Sequence, residues 1–104
     1  MNTAPQRFQA LLDDDGIEAT RLCRLAGVTE QWLQERVTLG VLQVRVSGAA
    51  PQAWRFSAAD LRRVRRLAGL ERDFDAVPEL AALVADLEEE LARLRAQLRR
   101  GLGA

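Results

Sequence analysis

The side chains that carry most acid, base and nucleophilic chemistry are scarce in this chain: histidine and tyrosine are absent and the one cysteine is Cys23. A histidine-based triad, a tyrosine acid and a zinc site built from histidine and cysteine therefore have no raw material. Nor is there a phosphate-binding loop. Carboxylates are plentiful, at Asp13, Asp14 and Asp15 and again at Asp86, Glu88, Glu89 and Glu90. They fall in an acidic turn before Gly16 and along a helix surface, where hydration and ion pairing explain them, and none is paired in an apolar pocket that would hold a proton on it. The expectation is a protein that is not an enzyme and takes no metal, cofactor or small-molecule substrate. What remains is recognition, and the densest cluster for it is cationic: Arg62, Arg63, Arg65, Arg66 and Arg72, suited to phosphates or to an acidic partner as well as to a solvated basic face.

Charge balance limits the first of those partners. Fifteen arginines are offset by fifteen carboxylates, giving a formal net charge of zero, whereas a nucleic-acid-binding domain normally carries a basic excess that releases counterions. A lone cysteine forms no internal disulfide, and no apolar run is long enough for a signal peptide or a membrane span, so a cytoplasmic location is expected. With 48% hydrophobic and 29% charged residues, rich in leucine and alanine, the chain reads as mainly α and globular.

Three helices, a hairpin and a long C-terminal helix are expected to position these side chains. Residues 1–16 form an N-terminal segment in which residues 7–12 read as a short strand or a helical turn, followed by the acidic turn. Residues 17–74 read as one small domain. From Ile17 the pattern is helical, with Ala19, Leu22, Cys23 and Ala26 on one buried face, which makes Cys23 a core residue. Gly27 stops that helix, Thr29 caps a second one over residues 30–39 with Trp32, Leu33, Val37 and Leu39 available for packing, and Gly40 ends it. Helix, glycine turn, helix is the layout of a helix-turn-helix. Residues 42–46 alternate apolar and polar side chains, residues 47–51 form a loop and residues 53–56 return, predicting a two-stranded hairpin or wing. Ser57 and Asp60 then form a near capping box for a third helix whose apolar face runs through Leu61, Val64, Leu67, Ala68 and Leu70.

Residues 75–100 read as a separate C-terminal helix with Pro78 in its first turn, ahead of a disordered tail at 101–104. Val77, Leu80, Val84, Leu87, Leu91, Leu94 and Leu98 alternate steps of three and four, the heptad stripe of a coiled coil. Leu80, Leu83 and Val84 are expected to pack on the small domain. Farther along, the helix rises about 1.5 Å per residue and outruns that domain, so the stripe is expected to pair with a second copy. Its first half is acidic and its second half basic (Arg93, Arg95, Arg99, Arg100), which favours an antiparallel homodimer.

The order of these elements resembles the MerR family of regulators, locally in Ala26-Gly27-Val28-Thr29 with Leu33, in Leu39-Gly40-Val41-Leu42, and in Arg55-Phe56-Ser57 with Asp60-Leu61. The resemblance implies a winged helix-turn-helix. Where that family places an Arg-Tyr-Tyr-Glu run on the second helix, this chain has Gln34, Glu35, Arg36 and Val37, and a carboxylate there repels phosphate. Over about residues 17–100 the chain is also similar to the chaperone modulatory family CbpM. The shared features are Glu18 with Leu22-Cys23, Trp32-Leu33, Trp54-Arg55-Phe56, and Asp75 with Pro78 ahead of a leucine-rich tail. That resemblance implies a dimer that binds the J-domain of a DnaJ-like co-chaperone, CbpA, blocking its contact with the chaperone DnaK and restraining its DNA binding. The J-domain face in that family is positively charged, so the expected contact residues are Glu30, Gln31, Gln34 and Glu35 on the second helix and Asp86, Glu89 and Glu90 on the tail. The alternatives left open are a MerR-like DNA-binding regulator that uses Arg62, Arg63, Arg65 and Arg66, and an adaptor of toxin-antitoxin or phage type on the same scaffold.

Overall fold

A computed structural model describes residues 16–44 and 50–103. Residues 7–12 and the acidic triplet lie outside the described residues, as do Arg45 and Val46. In chain order the elements are β1 (Ile17–Glu18), α1 (Ala19–Ala26), α2 (Glu30–Thr38), a 3₁₀ turn (Pro51–Ala53), β2 (Arg55–Phe56), α3 (Ala58–Phe74) and α4 (Pro78–Gly103). The architecture is mainly α, a winged helix-turn-helix with a two-stranded antiparallel piece and a long C-terminal helix.

The helix-turn-helix forms where its local signals put it. Gly27 takes a left-handed φ of 73°, which a side chain would oppose. In that conformation the amides of Gly27 and Val28 both reach the Cys23 carbonyl, at 2.8 and 3.0 Å, closing α1. Thr29 then accepts the Trp32 amide at 3.0 Å and starts α2. Gly40, at φ 82°, turns the chain out of α2. Ser57 and Asp60 complete a reciprocal capping box on α3: the Asp60 amide donates to Oγ and the Ser57 amide to the Asp60 carboxylate, at 3.0 and 2.7 Å.

One strand falls where expected, β2 lying within the return at residues 53–56, but its partner does not. Ile17 belongs to β1 rather than to the first helix, and β1 pairs with β2 in the register Ile17 to Phe56 and Glu18 to Arg55. Residues 42–44 have no strand partner among the described residues, although their alternation survives: Leu42 is buried, Gln43 exposed and Val44 half-buried. Alternation reports which side chains point inward, while a ladder also needs a backbone neighbour within hydrogen-bonding distance. Here β1 supplies it, and that long-range pairing seals Ile17 and Phe56, both essentially inaccessible, into the core.

That core gathers Leu22, Leu33, Leu42, Leu61, Val64, Leu67 and Leu70 around Phe56, with buried Cys23 among them. Burial and, secondarily, the charge of Glu30 push the Cys23 thiol above its ordinary pKa, keeping it in the unreactive protonated form.

Helix α4 closes the domain with an unexpected face. Leu80 and Leu83 are half-exposed, and it is Ala81, Ala82 and Ala85 that are buried against the rest of the core, with Val84 only partly packed. At about 100° per residue, the alanines lie on the opposite side of α4 from the leucines. Small side chains let the backbones of α3 and α4 approach closely, so the alanine face forms the tighter contact and leaves the leucine stripe outward. The helix also runs to Gly103, so residues 101–103, expected to be a disordered tail, continue it.

Candidate functional site: the face of α2 and the cationic face of α3

Of the four arginines expected on an open cationic face, three have partners inside the chain. Arg63 is mostly buried and bonds three ways, donating from Nε to the Val41 carbonyl at 3.1 Å and pairing through Nη1 with Asp86 at 2.8 Å and Glu89 at 3.1 Å. Arg66 forms a two-pronged pair with Glu88, Nε at 2.7 Å and Nη2 at 2.6 Å. Arg65 donates to the Leu25 carbonyl at 3.0 Å, satisfying an otherwise open acceptor in the last turn of α1. Arg62 is exposed and lines the same α3–α4 cleft as Arg63, Arg66, Glu88 and Glu89.

This pairing follows from the alanine contact. Asp86, Glu88 and Glu89 flank the alanine face on α4, so seating Ala81, Ala82 and Ala85 on α3 brings those carboxylates over its arginines. Two of the tail residues expected to meet a partner, Asp86 and Glu89, are thus engaged with Arg63, while Glu90 pairs within its own helix with Arg93. The Arg66 guanidinium holds the Glu88 carboxyl below the usual carboxylate range, chiefly through their hydrogen bonds, and Glu88 in turn raises Arg66.

The second helix presents a different surface. Its one cation, Arg36, is turned inward: Nε and Nη2 bond the two oxygens of Glu71 on α3, and its guanidinium lies 4.5 Å from the centre of the Trp32 ring. The indole Nε1 of Trp32 donates to the same carboxylate at 3.1 Å. Glu71 thereby fastens α2 to α3 and removes the Arg36 charge from the surface. Nothing in the spacing of residues 32, 36 and 71 signals this cluster, because it bridges about a third of the chain.

Left facing outward on α2 are Glu30, Gln31, Gln34 and Glu35, all exposed. Glu30 accepts from the Thr20 hydroxyl at 3.4 Å, and Glu35 accepts from Gln31 at 3.5 Å and from Arg36 at 2.9 Å. The charged set Glu35, Arg36 and Glu71 is two carboxylates around one guanidinium, a net charge of minus one. Beside it an open groove of about 630 Å³ runs between the end of α2 and the start of α4, lined by Gln31, Gln34, Glu35, Thr38, Leu39 and Pro78, with the paired Arg36 at its wall. Leu39, expected to pack inward, is about half exposed. The sequence signal for this groove is slight: one leucine placed directly before a helix-ending glycine. The structure brings the four α2 residues onto one face but leaves Asp86, Glu89 and Glu90 on another.

Among the described residues no group of acidic, cysteine or histidine side chains is arranged to hold a metal ion, and no helix is long and apolar enough to cross a membrane. No curated protein and no solved structure matches the chain. The family described as MerR HTH family regulatory protein matches over residues 17–100, a span that begins at β1 and takes in both helices of the helix-turn-helix, the capped α3 and most of α4. The chain therefore belongs to the MerR helix-turn-helix family of regulatory proteins.

Proposed function

We propose that this chain is a dimeric, non-enzymatic regulator that acts by binding a protein, the J-domain of a DnaJ-like co-chaperone (CbpA), rather than by reading DNA. The observation that carries the choice is the fate of the cations. On α3, Arg63 and Arg66 meet Asp86, Glu88 and Glu89 of the same chain, and on α2 Arg36 is held by Glu71. The helix that would enter a major groove offers no free cation to the phosphates and carries outward carboxylates, Glu30 and Glu35, which they repel. A positively charged protein surface is the complementary partner. The J-domain in particular is suggested by the similarity to the CbpM family.

The second copy is proposed to cover the outward stripe of α4. Leu80, Leu87, Leu91, Leu94 and Leu98 are each between 46% and 63% exposed, and burying a leucine is worth roughly 1.5–3 kcal/mol. Intrachain pairing occupies most of the acidic half of α4, so the seam itself, more than the acid-to-base match, supports the dimer.

Titrating the chain against an isolated J-domain, and separately against duplex DNA at two salt concentrations, tests the reading. J-domain binding with weak duplex binding is expected. Tight, steeply salt-dependent duplex binding overturns it in favour of a DNA-binding regulator, the alternative that family membership and the exposed Arg62 favour.

A further inference from the structure

The groove beside Glu35 is a better-defined contact than the α2 face as a whole. We infer that it is the anchor point for an amphipathic, basic helix of the partner, which places one aliphatic side chain between Leu39 and Pro78 and a cation against Glu35. The inference rests on the reading that this face meets a protein, and narrows it.

Three features of the site select that occupant. First, Leu39 is about half exposed although it lies outside the α4 stripe, and with Pro78 it makes an apolar spot bordered by the amides of Gln31 and Gln34. An aliphatic anchor ringed by polar groups is the arrangement that concentrates binding energy. Second, the local charge is negative. Arg36 also lines the groove, but it is only 11% exposed and is shared between Glu35 and Glu71, whereas the Glu35 side chain is 54% exposed, so an incoming cation meets the carboxylate before the paired guanidinium. The carbonyl end of α2 favours a cation and the N-terminus of α4 opposes it, and Glu79 in the first turn of α4 offsets that opposing end, so the carboxylates set the sign. Third, the groove is open and shallow and runs between two helix ends. It suits one face of a partner helix and does not enclose a small molecule.

The test uses the full-length protein and two probes: an isolated J-domain, and a synthetic helical peptide with leucines one turn apart flanked by arginines, alongside its counterpart with glutamates in place of the arginines. Amide shifts by NMR locate the peptide and calorimetry gives affinities for wild type, Leu39→Asp and Glu35→Arg. Both replaced side chains lie outside the core, and unchanged melting curves confirm that each variant is folded. The expected result is that the arginine peptide shifts Gln34, Glu35 and Leu39, that the glutamate peptide does not bind there, and that each substitution weakens both probes by at least about ten-fold. Peptide shifts confined to residues 80–98, or J-domain binding unchanged in both variants, overturn the groove while leaving the J-domain reading intact. A chain that ignores the J-domain yet holds the arginine peptide in the groove, with loss in Leu39→Asp, overturns the J-domain reading and upholds the groove.

Discussion

Glu71 is the residue whose replacement should cost most for its size. It accepts from Trp32 Nε1 and from two nitrogens of Arg36, and both members of the ion pair are largely buried, at 11% and 14% exposure. Glu71→Ala leaves a guanidinium and an indole N–H without acceptors, and an expected loss of roughly 2–4 kcal/mol follows from stranding them. Glu71→Gln, which still accepts from the indole, should lose less; denaturant titration followed by Trp fluorescence ranks the two. Glu88 makes the opposite case, an exposed pair with a defined pH signature. Its carboxyl is held below the usual range by Arg66, so the contribution is present above the unfolded pKa and is lost as pH falls through the lower folded one. Wild type should therefore melt slightly above Glu88→Gln at neutral pH, with the gap closing in strong acid. A gap that widens on acidification contradicts the pairing.

Among the elements, α4 is the one that carries two opposed jobs on two faces. The alanine face packs on α3 and the leucine stripe points away, so the same substitution should behave differently on each. Ala81 has no accessible surface, and Ala81→Leu overpacks the α3–α4 contact at an expected cost of about 1–3 kcal/mol. It should also separate Asp86, Glu88 and Glu89 from their arginines and so uncover a cationic face. Thermal melts check the first effect, and increased, salt-sensitive duplex binding checks the second. By contrast Leu83→Ala, on the half-exposed side, should leave the fold of the single chain intact.

The whole molecule gathers its buried apolar side chains in one core and leaves a second apolar surface, the stripe from Leu80 to Leu98, in need of cover. Leu91→Glu combined with Leu94→Glu should give a monomer on size-exclusion with light scattering, since carboxylates buried in a seam have nothing to compensate them. The domain itself should remain folded, because neither residue belongs to its core. A dimer that persists in the double variant places the subunit contact elsewhere.

Much of this was legible along the chain, because caps, glycine stops and heptad steps are interactions between residues one or two turns apart. Gly27, Thr29, Ser57 with Asp60, and Pro78 mark their helix ends from sequence alone, and the inward set Leu22, Leu33, Leu61, Val64 and Leu67 follows from spacing. The pairing of β1 with β2, the seating of alanines rather than leucines on α3, the neutralising of Arg63 and Arg66 by α4, and the capture of Arg36 by Glu71 were decided only in three dimensions. The strand pairing and the ion pairs join residues more than twenty positions apart, and periodicity assigns a residue to a face without saying which of two faces a neighbour will choose. That choice turned on how closely two helices can approach, and it converted an apparent cationic surface into an internal ion-pair network.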